Sequence, residues 1–164
     1  MHFLDVFLLL SILSCTLVTG FIFTYAVVVM PGFSKLDDKE FLRAFQVTDG
    51  IIQNKQPLFM LTWVGSIISV LGTVFCAILS LELREAWLIV LCGVVYLLGV
   101  QGITMSIHLP LNNKVQKLVL DELSNQTLTE EWGNFEETWN FYNKIRTALA
   151  FSVSLLFLLF FTLR

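Results

Sequence analysis

Four long stretches without a charged residue most constrain how this chain can fold. They are Val6–Val29, Leu58–Leu81, Trp87–Ile107 and Thr147–Leu163. Each approaches the roughly 20 residues that an α-helix needs to cross a bilayer, where only helices and closed barrels satisfy their own backbone. Hydrophobic residues make up 56% of the chain and the mean hydropathy is +0.78, outside the range of ordinary soluble domains. The sequence therefore predicts an all-α, four-transmembrane-helix bundle.

The connecting segments are too short for a separate soluble domain, so residues 1–164 are predicted to form one integral membrane domain. Membrane helices are expected at about 6–29, 58–81, 86–108 and 132–163, and amphipathic segments at about 34–54 and 110–123. The first stretch has no basic residues ahead of it and exceeds the apolar part of a signal peptide, which is about 7–15 residues long. We therefore interpret it as a retained helix of a multi-pass membrane protein.

Prolines and capping residues predict the helix boundaries. Pro31 is expected to end the first membrane helix and Pro110 the third, while Ser34 is positioned to cap the first amphipathic helix. Thr127 and Glu130 have the spacing of a capping box ahead of the last helix. That helix would be about 50 Å long against a hydrocarbon core of about 30 Å, so its first turns are expected to project from the membrane.

Both long connections are expected on the same side of the membrane, but the side itself stays open. Their Lys and Arg residues favour the cytoplasm by the positive-inside rule. In contrast, Asn125-Gln126-Thr127 is a glycosylation sequon that needs a lumenal position to be used. The membrane and the orientation are therefore not predicted.

Polar side chains recur at helical spacing on the last two membrane helices. They are Gln101, Thr104 and His108 on the third helix, and Trp132, Trp139, Asn143 and Arg146 on the fourth. Arg146 opens an uncharged segment, where an arginine is costly unless it has partners. Because polar side chains in membrane helices turn toward the bundle interior, the two stripes predict a pocket that is polar at its mouth and apolar beneath.

The same residues also have plain structural interpretations. The Ser and Thr stripe of the second helix, from Thr62 to Thr73, is typical of close helix packing. The tryptophans fit an interfacial belt, and Arg146 could extend its side chain to the headgroups. His108, at a helix end, could serve only the fold.

Neither a metal site nor a cofactor is expected. The sequence has no His-x-x-x-His, Glu-x-x-His or Cys-x-x-Cys pair, no glycine-rich phosphate loop and no Gly-x-Ser-x-Gly elbow. A haem between His2 and His108 is not expected either, because the two are predicted at opposite membrane faces.

One run of residues resembles a known family. His108-Leu109-Pro110-Leu111-Asn112-Asn113, followed by Trp132, Trp139-Asn140, Asn143 and Arg146, is similar to the anthrone oxygenase-like family of small four-helix membrane proteins. The similarity takes in most of the chain. Named members of that family oxidise anthrones, which are fused-ring phenols, to anthraquinones with O2. The resemblance implies this kind of reaction, with neither a metal nor a flavin.

The implied chemistry suggests a role for each polar residue. An anthrone is acidic at its benzylic carbon and its carbanion reacts with O2 directly, so the site needs a base, for which His108 is the candidate. Arg146 is the candidate cation for the developing phenolate. The candidate substrate-binding residues are Asn112, Trp139, Asn143, Gln101 and Thr104.

Three functions remain open at this stage. The first is a membrane oxidoreductase of an aromatic or quinone-like molecule, the second a non-catalytic helical subunit of a larger membrane complex, and the third a binder of lipids or apolar small molecules. The expected partners are membrane lipids, an apolar aromatic small molecule or other membrane subunits; a net charge of −3 offers no basic surface for nucleic acid. A substrate-sized cavity bounded by His108 and Arg146 would favour the first and third, and a filled interior the second.

Overall fold

The computed structural model describes residues 3–163, which form helices and no strand. We number the main helices in chain order: α1 Phe3–Phe33, α2 Asp38–Gln53, α3 Pro57–Ser80, α4 Leu83–Gln116 and α5 Asn125–Leu163. Every one of these except α2 is long and apolar enough to span a membrane. The prediction of an all-α fold with four membrane-length helices, the last one long, is confirmed. His2 lies outside the described residues.

Helix α1 holds the other long helices together. It packs against both α3 and α5, and α5 in turn packs against α4. Hydroxyl pairs join α1 to α3, with 2.8 Å between the oxygens of Ser11 and Thr73 and 3.0 Å between those of Ser14 and Ser69. Hydrogen bonds of this kind join helices in lipid, where apolar surface gives no hydrophobic driving force for association. The polar stripe of α3 therefore serves helix packing.

Helices α3 and α4 are close only near the turn that joins them. A Cβ added to Gly93 would lie 2.4 Å from Cγ2 of Val74, so the missing side chain is what lets the two backbones approach. Contacts of α3 with α4 concentrate in residues 83–94, and α3 makes no comparable contact with the second half of α4. The two helices thus separate toward the start of α3.

Helices α1 and α4 continue through the prolines at which the sequence predicts their ends. Just before each proline the backbone has π-helical hydrogen bonding, over Tyr25–Val29 in α1 and Thr104–His108 in α4. In a regular α-helix the proline ring clashes with the carbonyl four residues earlier, and a wider turn gives the ring room. As a result α1 ends at Phe33, and α4 reaches Gln116 and takes in the start of the second amphipathic segment.

The helix caps also differ from those that the sequence predicts. Asp37, not Ser34, caps α2: its backbone is extended, and its carboxylate accepts a hydrogen bond from the N–H of Glu40 at 2.8 Å. Ser34 has a helical backbone and ends α1 instead. At α5, the hydroxyl of Ser124 accepts from the N–H of Thr127 at 3.2 Å, so the cap precedes the predicted one by three residues.

Helix α2 covers the end of the bundle at which α4 finishes. Its apolar face packs against α5, with 4.5 Å between the ring centroids of Phe45 and Phe135. The side-chain amide of Gln46 donates to the carbonyl groups of Val115 and Leu118, at 2.8 and 3.0 Å. These contacts hold α2 across the bundle and place its buried face over the region where α3 and α4 separate.

Candidate functional site

A cavity of about 410 Å³ lies under α2, with walls from all five helices. Its volume falls within the range of about 300–1,000 Å³ that is usual for small-molecule sites. Of the seven residues that the sequence analysis gives as candidate catalytic or substrate-binding residues, six line the cavity: Gln101, Thr104, His108, Asn112, Trp139 and Arg146. The structure thus brings the polar stripes of α4 and α5 together around an internal space.

Arg146 is almost entirely buried, with 4% of its surface exposed. Its Nε donates to the side-chain carbonyl of Asn143 at 2.9 Å, and its Nη1 donates to the hydroxyl of Thr104 at 3.1 Å. Within residues 3–163 it forms no ion pair, and its Nη2 group has no protein acceptor. A buried cation held only by neutral groups keeps its charge uncompensated, so it favours an anion in the cavity.

Asn143 holds Arg146 from the side that faces away from the cavity. It is fully buried and does not line the cavity. Its amide donates to the backbone carbonyl of Ile22 on α1 at 3.2 Å, and its side-chain carbonyl accepts from Arg146. In this structure Asn143 therefore fixes the guanidinium in place.

His108 is a buried polar group without a partner. Only 2% of its surface is exposed, and within the described part of the chain neither ring nitrogen has a hydrogen-bond partner. Buried polar atoms are nearly always paired, and this imidazole lies in the wall of the cavity, so a ligand in the cavity is a candidate partner for it. The π-helical turn at Thr104–His108 sets the direction of this side chain at the end of the apolar stretch of α4.

Trp139 brings the histidine and the arginine to one place. The ring of His108 meets the indole edge-on at 5.0 Å between centroids, and the guanidinium carbon of Arg146 lies 5.4 Å from the indole centroid. The second contact has the geometry of a cation–π interaction. Tyr25 of α1 packs against the same indole at 5.7 Å. A potential base and a cation thus flank one aromatic surface.

Asp49 is a site residue that the sequence analysis missed. It is 3% exposed, lines the cavity from α2, and its carboxylate accepts hydrogen bonds from Asn112 at 2.8 Å and Gln116 at 3.0 Å. The pattern among the charged residues of α2 suggested an outward position. The available signal was its spacing: Asp49 comes four residues after Phe45 and eight after Phe41, on the buried stripe of the helix.

The sequence analysis also does not identify the apolar wall of the cavity. Phe59 and Trp63 of α3 are stacked, with 5.2 Å between their centroids and 22° between their planes, and Phe21 of α1 meets Phe59 edge-on at 5.1 Å. All three line the cavity. Aromatic residues four apart near the start of a membrane helix are the only sequence signal, and lipid-facing residues have the same pattern.

Gln101 closes the inner end of the cavity. Its amide donates to the hydroxyl of Tyr96 at 3.2 Å, and that hydroxyl donates to Ser66 of α3 at 2.7 Å. This chain connects the cavity to the polar packing between the helices. Beyond it the core is apolar, around Leu8 and Ile89.

The structure offers no preformed metal site in its described part. No group of three or more His, Cys, Asp or Glu side chains there is placed to hold a metal ion. The polar groups that face the cavity are a carboxylate, a free imidazole, a guanidinium, amides and hydroxyls. Such a set has the chemistry to bind a small molecule with both an apolar body and a polar, acidic edge.

A sequence comparison identifies the family. The family described as anthrone oxygenase matches residues 55–156, which is more than half of the chain and runs from the start of α3 into the second half of α5. The matched segment contains the polar groups on α4 and α5, including His108, Asn112, Trp139 and Arg146. Neither the curated proteins nor the solved structures give a match. The chain is a helical membrane protein that belongs to the anthrone oxygenase family.

Proposed function

We propose that this protein oxidises a fused-ring phenol of the anthrone class with O2, in the cavity beneath α2. One observation supports this proposal most directly. In one cavity, the imidazole of His108, which has no hydrogen-bond partner in the described part of the chain, and the guanidinium of Arg146, which has no ion-pair partner there, both contact the ring of Trp139. The family match supports the substrate class. The aromatic wall on the α3 side suits a planar, apolar ring system.

In the first step, His108 removes one proton from the benzylic CH2 of the substrate. The proton goes to a ring nitrogen, and the electron pair of the C–H bond spreads over the ring system to the carbonyl oxygen, which becomes a phenolate. The step separates charge, since the histidine becomes a cation and the substrate an anion. Arg146 stabilises that anion through its free Nη2 hydrogen-bond donors, in surroundings with little water to screen them.

In the second step the electron-rich carbon reduces O2. A C–O bond forms at the benzylic carbon, and the proton held by His108 completes a hydroperoxide. Loss of the second benzylic proton, with cleavage of the O–O bond, then gives the quinone carbonyl and one molecule of water. The balance is one substrate and one O2 to one quinone and one water.

The test is oxygen consumption together with quinone absorbance, measured on the protein in lipid nanodiscs with a hydroxylated anthrone. Because anthrones react slowly with O2 by themselves, the rate without protein is subtracted. His108→Phe keeps the ring volume and removes the base, and we expect it to lower turnover by about 100- to 10,000-fold. Arg146→Gln removes the cation, and we expect a loss of about 100- to 1,000-fold.

Arg84→Gln is the matched control, because this arginine lies in the first turn of α4, away from the cavity. It should oxidise the substrate at the wild-type rate. A protein-dependent rate that is no higher than the background, or equal rates in the His108 and Arg146 variants and in the control, would reject the proposal. Saturable binding of the anthrone without turnover would instead identify an apolar small-molecule binder.

A further inference from the structure

We infer that the cavity is loaded from the bilayer, through the gap between α3 and the second half of α4, and that its ligand is a lipophilic ring system dissolved in the membrane. The inference rests on the proposed function for the kind of ligand. The route itself follows from the packing of the helices and from which cavity-lining residues are exposed.

The first observation is the gap itself. Helix α3 packs against residues 83–94 of α4, where Gly93 permits close approach, and the two helices separate beyond the hydrogen bond between Tyr96 and Ser66. Further along, both helices still line the same cavity, α3 through Val64 and α4 through Met105. An internal space bounded by two helices that do not pack against each other there is open between them.

The second observation is exposure. Five residues are both cavity-lining and exposed: the polar Gln53 and Lys55 at the connection between α2 and α3, and the apolar Val64 at 41%, Met105 at 66% and Leu109 at 41%. Val64 and Met105 lie within the uncharged stretches of their helices. Their exposed surface therefore faces hydrocarbon, where an apolar ring loses no hydration when it passes between them.

The third observation is that hydrogen bonds hold α2 in place over the end of the bundle that it covers. Asp49 of α2 accepts hydrogen bonds from Asn112 and Gln116 of α4, and Gln46 bonds the carbonyl groups of Val115 and Leu118. Passage under α2 would break these bonds in a partly buried setting, at about 1 kcal/mol or more for each bond. Between α3 and the second half of α4 the one such bond in the described part of the chain is that of Tyr96 to Ser66, at the inner end of the cavity, and entry past Val64 and Met105 leaves it in place.

The residues along the gap also favour a ligand with one polar edge and an apolar body. Gln53 and Lys55, at the connection between α2 and α3, form its polar edge, and Val64 and Met105 form its apolar edge. Arg146 and His108 lie inward. A ring system that enters from the lipid with its phenolic edge inward meets these groups directly, whereas a ligand with a permanent charge remains in water.

The test is the rate at which a hydroxylated anthraquinone, the product-like probe, binds to the full chain in nanodiscs, followed by the fluorescence of the probe. Val64→Trp and Met105→Trp narrow the gap. We expect both association and dissociation to slow by about tenfold, because access rather than affinity is obstructed. Elution volume and helical content establish that each variant is folded.

Leu61→Trp and Leu98→Trp are the matched controls. Each is 71% exposed on the same helix as its test residue, and neither lines the cavity. They should bind the probe at wild-type rates. Equal rates in the test and control variants would overturn the inference.

A sulfonated form of the same probe separates the two routes. Its ring system is the same, but its charge keeps it out of the bilayer, so we expect association at least about tenfold slower. Association as fast as that of the uncharged probe would place the route on the aqueous side and overturn the inference. Since no turnover is needed, slow binding in the gap variants with no oxidation by the wild type would keep this inference and reject the proposed function.

Discussion

The indole N–H of Trp139 donates to the side-chain carbonyl of Asn112 at 3.0 Å, while the amide of Asn112 donates to Asp49 at 2.8 Å. The carboxylate on α2 thus determines which way the Asn112 amide points, and that amide holds the indole on which His108 and Arg146 meet. Hydrogen bonds thus join α2 to Trp139, and His108 and Arg146 contact the ring of that residue.

Replacing Asp49 should weaken the hydrogen bonds between α2 and α4. In Asp49→Asn an amide N–H₂ takes the place of one acceptor oxygen and faces the amides of Gln116 and Gln53, which both donate to Asp49. We expect the free energy of unfolding to fall by about 1–3 kcal/mol, because buried donors lose their acceptors. Chemical unfolding in mild detergent measures it. Glu122→Gln, an exposed carboxylate in the connection before α5, should unfold like the wild type; an equal loss in both variants would contradict the prediction.

Removing the support of Arg146 should affect the reaction more than the fold. In Asn143→Ala the guanidinium Nε loses its acceptor, and the carbonyl of Ile22 loses its donor. We expect turnover between that of the wild type and that of Arg146→Gln, with the cation present but no longer fixed. The measurement is the steady-state oxidation rate with the unfolding midpoint as a companion. Turnover below that of Arg146→Gln would show that Asn143 does more than position the arginine.

The approach of α3 and α4 at their turn should depend on Gly93. In Gly93→Ala the new methyl would lie 2.4 Å from Cγ2 of Val74, so the valine side chain or one of the helices must shift, and we expect destabilisation of about 1–3 kcal/mol. The double variant with Val74→Ala should recover much of this loss. Gly65→Ala is the matched control in α3, because no atom lies within 4 Å of its added Cβ. Its stability should rise by about 0.5–1 kcal/mol, as a helical glycine loses entropy on folding.

The surface link between α2 and the connection before α5 should be sensitive to acid. Lys39 and Arg43 both contact Asp121, and hydrogen bonds from Lys39 and Arg43 hold the pKa of that carboxyl below its usual value. A group with a lowered folded-state pKa contributes stability above its unfolded pKa and loses it as the pH falls through the folded value. The protection factors of the first turns of α2, which are exchange rates corrected for the intrinsic pH dependence of amide exchange, should therefore fall at acid pH. In Asp121→Asn they should be low at all pH values, and a small effect is expected because the pairs are exposed.

The sequence predicted the polar lining of the cavity better than its apolar lining. Arg146 and His108 stand out because charged and titratable groups are rare in membrane-length segments and turn inward. Phe59 and Trp63 do not stand out, because aromatic residues facing lipid and aromatic residues facing a cavity obey the same pattern. Asp49 does not stand out either, because charged residues of an amphipathic helix usually face outward, although this one lies on the buried stripe of α2.

The helix ends show a similar limit. A proline ends a regular α-helix, so Pro31 and Pro110 were interpreted as boundaries. The structure accommodates both with π-helical turns, which depend on how neighbouring helices support the backbone and leave no mark in the local sequence. One of these turns affects the candidate site directly, because His108 is its last residue.

The cavity wall is shared between two parts of the chain. His108, Trp139 and Arg146 lie within the segment that matches the family, whereas Tyr25 and Asp49 come from the helices that precede it. Under the proposed function, the candidate reacting groups and part of the wall that faces the ligand therefore belong to separate parts of the chain. A chimera that exchanges α1 and α2 for those of another family member would keep His108, Trp139 and Arg146 and present a different wall to the ligand.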